Sequence, residues 1–87
     1  MTHLIIFLQK NYSKMNSLDL HGIKHSEVQK HLDSFIWENM NKGSREVEVI
    51  TGISEQMKKI VRDIVIDYNM NCYEEPLNPG KIIIKIV

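Results

Sequence analysis

The sequence predicts an α/β protein, a two-layer sandwich in which helices cover a mixed four-stranded sheet. Two segments with apolar residues at helical spacing alternate with short β-branched runs, and two further β-type segments flank a turn rich in proline and glycine. The predicted element order is therefore β-α-β-α-β-β. Right-handed crossovers make the first two strands parallel, and the short final turn makes the last two antiparallel.

The composition is that of one small globular domain of 87 residues, with 43% hydrophobic and 25% charged residues. Eleven basic residues balance eleven acidic ones, so a nucleic-acid partner would have to be held by a local basic patch. Cys72 is the only cysteine, which excludes an intrachain disulfide and favours a reducing, cytoplasmic location. The apolar run "LIIFL" at residues 4–8 is too short for a membrane span, so no membrane partner is expected.

Two regions are predicted along the chain: an N-terminal extension at residues 1–16 and a folded domain at residues 17–87. Within the extension, the β-branched and aromatic residues of segment 3–9 could add an edge strand. The domain opens with a strand at residues 17–20, which ends before Gly22.

The first predicted helix follows this strand. His25 or Ser26 is expected to cap its start, and residues 41–43, "NKG", supply its end. Trp37 is expected to lie in the core beside the apolar face of the helix. That face carries Val28, Leu32, Phe35, Ile36 and Met40.

A second strand–helix unit comes next. Residues 46–50, "EVEVI", alternate as a strand does, and residues 51–54, "TGIS", make a sharp connection in which Ser54 is the helix N-cap. Tyr68 is expected to be a core residue on this helix, and residues 69–71 end it. The apolar face comprises Met57, Ile60, Val61, Ile64, Val65 and Tyr68.

The C-terminal part predicts two strands and a turn. Residues 72–75, "CYEE", form a short strand, residues 76–80, "PLNPG", a turn, and residues 81–87, "KIIIKIV", a buried central strand.

Asp19 and His21 stand two residues apart at the carboxyl end of the first strand. In an extended strand both side chains project from one face, and ligands of open α/β sheets bind outside the carboxyl ends of strands. Asp19 could orient the His21 imidazole through a ring nitrogen or act separately, while His21 takes or gives a proton. The alternative is two solvent-facing residues beside a turn.

The connection at residues 51–54 leaves the neighbouring strand at the same edge of the sheet. Gly52 permits close backbone approach, and the helix that begins at Ser54 offers free N–H groups to a phosphate. Its simpler interpretation is an ordinary capped helix. Near this loop, Lys58, Lys59 and Arg62, helped by Lys24, could form the basic patch or merely a solvated face.

No structural metal site is predicted. His21, His25, His31 and Cys72 lack the paired, closely spaced ligands of such sites.

Taken together, "LDLHG", "VEVITG" and "GKIIIKIV" resemble the small MutS-related, or Smr, domain family over residues 17–87. The resemblance implies a stand-alone Smr-like domain with the two-layer fold of the C-terminal domain of bacterial translation initiation factor 3. It further implies nucleic-acid binding and, as in several members, endonuclease activity.

Carried onto this sequence, the resemblance makes Asp19 and His21 the catalytic pair. The second motif of the family maps onto residues 51–54. Together with the turn glycine and the basic residues weighed above, the predicted phosphate or nucleic-acid contacts are Gly22, Lys24, Thr51, Gly52, Ser54, Lys58, Lys59 and Arg62. In the second motif, Ile53 replaces a polar or basic residue and Ser54 replaces a glycine.

Cleavage of a phosphodiester is the leading functional hypothesis, with RNA slightly favoured over DNA. On RNA, His21 could act as general base on the 2′-hydroxyl without a metal, whereas DNA cleavage would need activated water and a divalent cation such as Mg²⁺. One alternative is a non-catalytic module that binds nucleic acid, a ribosome or a protein. The other is a protein–protein adaptor that pairs through segment 4–8; the protein is expected to be a monomer or a homodimer.

Overall fold

A computed structural model describes residues 15–86. Its elements are β1 (Asn16–Asp19), α1 (His25–Lys42), β2 (Glu46–Ile50), α2 (Glu55–Asp67), β3 (Asn71–Glu75) and β4 (Asn78–Lys85). The predicted β-α-β-α-β-β order is confirmed. The predicted extra strand at residues 3–9 lies outside the described residues.

The four strands form one mixed sheet in the order β1-β2-β4-β3. β1 and β2 are parallel, and β4 is antiparallel to both β2 and β3. Asp19 is in register with Ile50, which in turn is in register with Lys81. The carboxyl ends of β1 and β2 therefore lie beside the amino-terminal half of β4. We call this end of the strands the site edge.

The hydrophobic core lies between the two helices and one face of the sheet. Val47 and Val49 alternate inward from β2, and Ile82 and Ile84 do the same from β4. The same cluster contains Leu20, Val28, Leu32, Ile36, Met57, Val61, Ile64 and Val65. Both predicted amphipathic faces are therefore used, as the helical spacing of their apolar residues requires.

Two apolar residues of α1 depart from the expected pattern. Trp37, predicted in the core, is exposed, because it lies one residue beyond Ile36 and so is turned away from the buried stripe. Met40, expected on that stripe, is also exposed. The last turn of α1 instead buries Asn39.

Asn39 forms a polar link that the hydrophobic pattern did not indicate. Its Oδ1 accepts hydrogen bonds from Asn16 Nδ2 at 2.6 Å and Ser44 Oγ at 2.8 Å, and its Nδ2 donates to the Phe35 carbonyl at 2.8 Å. These bonds satisfy a buried amide and join the start of β1 to the end of α1.

The ends of the elements follow ordinary capping chemistry with a few differences from prediction. The N-cap of α1 is Lys24, which makes no side-chain cap bond, so neither His25 nor Ser26 is the cap. Gly43 closes α1 in the left-handed conformation with φ of 76°. Ser54 is the predicted N-cap of α2, and its side chain accepts from the Met57 N–H at 3.1 Å. β4 begins at Asn78, earlier than predicted, because residues 76–77 alone form the turn.

Tyr68 joins the two helices, as its predicted place beside the core allows. Its hydroxyl donates to Asp33 Oδ1 at 2.7 Å. Burial, with the hydrogen bond and charge of Asp33, raises the pKa of Tyr68 from 10.0 to about 12. Below pH 10 the hydroxyl is protonated in both the folded and the unfolded chain; between pH 10 and about 12 the unfolded chain loses its proton first. The stability associated with this group is therefore lost as the pH rises through that window.

We expect Tyr68→Phe to lower the free energy of unfolding by about 1 kcal/mol at neutral pH, because it removes one hydrogen bond between the helices. The variant should also lose less stability than the wild type between pH 10 and 12. Urea unfolding at several pH values measures both effects. Tyr73→Phe, at an exposed tyrosine, is the matched control and should keep the wild-type pH dependence. Equal pH slopes for the wild type and Tyr68→Phe would contradict the assignment.

Candidate functional site

The loop after β2 and the first residues of β4, which are distant in the sequence, are joined by backbone contacts at the site edge. The N–H groups of Thr51 and Gly52 both donate to the Gly80 carbonyl, at 2.8 and 3.2 Å. The backbones are so close that a Cβ atom added to Gly80 would lie 3.4 Å from the Gly52 Cα. The loop after β2 is therefore fixed to the first residues of β4.

The turn that follows β1 also lies at the site edge, where Leu20 fixes it. The Leu20 N–H donates to the Ile50 carbonyl at 2.8 Å, the Ile23 N–H returns to the Leu20 carbonyl at 3.0 Å, and the Leu20 side chain is fully buried. Gly22 completes the turn with φ of 84°, a conformation that favours glycine. His21 is thereby held at the exposed tip of a turn whose base is buried.

The His21 ring lies directly against Gly52. A Cβ atom added to Gly52 would be 3.2 Å from His21 Cδ2, which is tighter than ordinary van der Waals contact. Gly52 also has φ of 70°, which side chains rarely tolerate. The structure thus brings together the two loops that the strand order placed at one edge, and it does so through the bare backbone of Gly52.

Asp19 has a different partner from the one considered in the sequence. Its Oδ1 accepts a hydrogen bond from the backbone N–H of His21 at 2.9 Å. β1 ends at Asp19, so the period-two geometry that would place the two side chains on one face does not extend to His21. In the structure Asp19 stabilises the turn that carries His21, as aspartates commonly do next to turns.

Thr51 is a buried part of the framework rather than an open phosphate contact. Its hydroxyl oxygen lies 2.7 Å from the Gly52 carbonyl oxygen and 3.3 Å from that of Gly80. Because both neighbours accept, the single hydroxyl proton is used within the protein. The hydroxyl of Thr51 therefore helps to shape the loop, and its role in binding a ligand stays a prediction.

The N-terminus of α2 follows this loop. Ser54 Oγ accepts from the Met57 N–H, which leaves the backbone N–H groups of Glu55 and Gln56 without intrahelical acceptors, as in the first turn of any helix. These groups and the positive end of the helix dipole favour an anion. The Glu55 side chain is exposed and lies 3.5 Å from Lys58 Nζ.

The predicted basic patch on α2 is largely neutralised by carboxylates. Lys58 is only 3% exposed, and its Nζ also lies 3.3 Å from Glu74. Arg62 pairs with the same Glu74 at 3.3 Å, and Lys59 pairs with Asp63 at 2.8 Å. Helical spacing in the sequence allows the pairs Glu55–Lys58 and Lys59–Asp63. It does not indicate Glu74, which comes to α2 from β3. Lys24 is exposed, and none of the ion pairs within residues 15–86 involves it.

The described side chains do not form a metal site of their own. Within residues 15–86, no group of three or more His, Cys, Asp or Glu side chains is placed to hold a metal ion. A divalent cation such as Mg²⁺, which cleavage of DNA would need, stays a prediction. Burial raises the pKa of the Cys72 thiol, which disfavours the nucleophilic thiolate. No helix in this described part is long and apolar enough to cross a membrane.

Comparison with known proteins agrees with this geometry. The family model described as "Smr domain" matches residues 18–74, which is well over half of the chain. The chain belongs to the Smr domain family. The matched range includes Asp19, His21 and the loop at residues 51–54, and it ends before Gly80.

The fold of this Smr domain also matches a solved structure, the crystal structure of the Smr domain of Thermus thermophilus MutS2. The TM-score is 0.75 at 14% sequence identity, and the match covers 82% of this chain and 96% of the other. No curated protein matches by sequence. Smr domains as a family are associated with nuclease activity and with nucleic-acid binding.

We expect Gly52→Ala to displace the His21 ring, because the added Cβ would occupy the space against Cδ2. Gly43→Ala is the matched control: Gly43 has φ of 76°, and a Cβ there would meet nothing within 4 Å. Both variants should lose about 1 kcal/mol to backbone strain. Only Gly52→Ala should shift the NMR resonances of the His21 ring.

The two variants are compared by chemical denaturation and by ¹H–¹³C spectra of the histidine side chains. Unchanged His21 resonances in Gly52→Ala would show that the ring does not lie against this glycine.

Proposed function

We propose that this Smr domain is an endonuclease that cleaves a phosphodiester bond in RNA, with His21 as the catalytic base. The observation that supports the proposal best is the contact of the His21 ring with Gly52, next to the N-terminus of α2. An imidazole, which can accept and donate a proton, and a set of backbone anion donors are thereby brought to one exposed edge.

The substrate phosphate would be held mainly by the backbone. The N–H groups of Glu55 and Gln56 point out of the first turn of α2, and Lys24 precedes α1 on the neighbouring loop. The space beside the Gly22 Cα is open, so a backbone phosphate can approach closely there, whereas the His21 ring occupies the corresponding space at Gly52. Because Lys58, Lys59 and Arg62 are paired, they contribute little to this contact.

The chemistry that fits these groups is attack by the neighbouring 2′-hydroxyl. Neutral His21 takes the hydroxyl proton while the 2′-oxygen forms a bond to phosphorus. The bond from phosphorus to the 5′-oxygen breaks, and the leaving oxygen takes a proton from solvent water, which yields a 2′,3′-cyclic phosphate and a 5′-hydroxyl; His21 then returns its proton to solvent. The α2 N–H groups stabilise the charge that develops on the phosphoryl oxygens.

RNA is favoured over DNA because it carries its own nucleophile. DNA cleavage would require a water molecule to be positioned and activated, which the 2′-hydroxyl of RNA makes unnecessary.

Asp19 acts through His21 in this proposal and is a positioning residue. Its carboxylate accepts the backbone N–H of His21, which fixes the direction in which the imidazole leaves the turn. An asparagine could accept the same bond through its amide oxygen, whereas an alanine could not. This difference separates a positioning role from one that needs the negative charge.

A second candidate is a module that binds nucleic acid without cleaving it. It is favoured by the carboxylate pairing of the α2 cations and by the exposed apolar Ile53 in the loop beside His21. Binding of RNA with no product over long incubation would support this candidate over the nuclease.

We expect His21→Ala to reduce RNA cleavage about 100-fold or more, the size of a typical general-base contribution. Asp19→Ala should reduce it by a smaller factor, and Asp19→Asn should keep most of the activity, because the amide oxygen can still accept the His21 N–H. Cleavage of a labelled structured RNA, resolved on a gel, measures all three rates, and the cyclic phosphate is identified by mass.

His25→Ala is the control, because His25 is an exposed histidine in the first turn of α1. Full activity in His21→Ala would refute the proposed base. Equal losses in Asp19→Asn and Asp19→Ala would show that the charge of Asp19 is needed and its hydrogen-bond geometry is not sufficient.

A further inference from the structure

Ile53, in the loop between β2 and α2, is an exposed apolar residue with 81% of its surface accessible. Its neighbours in the loop each have a structural contact. Thr51 is buried, Gly52 lies under the His21 ring, and Ser54 caps α2. The isoleucine side chain extends into solvent, one residue after the glycine that lies against the candidate catalytic histidine.

The common structural reason for an apolar residue at this position does not apply. A residue just before the N-cap often packs against the fourth residue of the helix, which is Lys58 in α2. Lys58 instead directs its ammonium group to Glu55 and Glu74, and the exposure of Ile53 leaves no packed surface to account for. Among the residues that the structure describes, the Ile53 side chain therefore adds almost nothing to the stability of the fold.

An uncharged branched side chain also gains nothing from a phosphate. It gains free energy only by covering apolar surface, at about 25 cal/mol per Å². In a nucleic acid, the apolar surfaces are the faces of the bases, and these are accessible in single strands and loops but stacked inside a continuous duplex.

The ion pairs near the loop also favour an unpaired base over a duplex as the binding partner. Duplex binding draws much of its affinity from phosphate contacts by lysine and arginine. Here the cations of α2 that lie nearest the loop are paired with Glu74 and Asp63. These three cations therefore contribute little to the binding free energy. The contact of Ile53 with a base would supply a larger share of that free energy.

We propose that Ile53 packs against an unpaired base next to the phosphate held at the α2 N-terminus and makes this Smr domain prefer single-stranded or looped RNA to duplex. The inference rests on the proposed function, since it takes the RNA to be bound beside His21. It adds the structural state of the substrate and the residue that selects it.

Binding is measured by fluorescence anisotropy with 2′-O-methyl RNA, which lacks the hydroxyl proton needed for cleavage. The probes are a short single strand and the same strand in a perfect duplex. We expect Ile53→Ser to weaken single-strand binding about five-fold, which corresponds to about 1 kcal/mol of lost apolar contact, and to leave duplex binding unchanged. Ile53→Leu should bind like the wild type.

Ile66→Ser is the matched control, because Ile66 is also exposed, at 65%, but lies at the opposite end of α2 from the loop. It should leave both affinities unchanged. Thermal unfolding should show no loss of stability in Ile53→Ser, since the side chain is 81% exposed among the residues that the structure describes.

The outcomes separate the two levels of the proposal. If the wild type binds the single strand and Ile53→Ser binds it equally well, the role of Ile53 is refuted while the proposed nuclease stands. Equal weakening for single strand and duplex, or an equal effect of Ile66→Ser, would also refute it. If the wild type binds neither probe, both the inference and the proposed function are wrong.

Discussion

Gly52 allows three segments to approach closely at the site edge: the turn after β1, the loop after β2 and the start of β4. Its N–H and that of Thr51 share the Gly80 carbonyl, and its bare Cα leaves room for the His21 ring on one side and the Gly80 backbone on another. A side chain here would meet His21 and would also be strained by the positive φ. The position of the catalytic candidate is thus set by backbone packing rather than by a side-chain hydrogen bond to the imidazole.

This arrangement explains how a domain with no net charge can present an anion site. The fixed dipoles of the first turn of α2 supply positive potential, while the nearby lysines and arginine are used in ion pairs that join α2 to β3 or lie along the helix. Lys58 in particular is buried, and a buried ammonium group is retained only when it is paired. The basic side chains of α2 are therefore used mainly in ion pairs within the fold.

The sequence predicted the sheet, both helices, the Ser54 cap and the meeting of the two loops, because these follow from periodicity and from strand order. It could not predict the partners of Asp19, Thr51 and Lys58, since those depend on where β1 ends and on which residues β3 and β4 bring alongside. The prediction that Trp37 is buried was wrong for a related reason. A residue next to an apolar stripe is buried only if another element covers that side of the helix. Asn39 was missed because a buried amide has no periodic signal.

The contact between His21 and Gly52 is tested most directly by nuclear Overhauser measurements on the free protein. The structure predicts a strong cross-peak between the His21 Hδ2 proton and a Gly52 Hα proton, because Cδ2 lies 3.2 Å from where a Gly52 Cβ would be. A well-resolved spectrum in which the His21 ring shows cross-peaks to other residues and none to Gly52 would contradict the arrangement of the site.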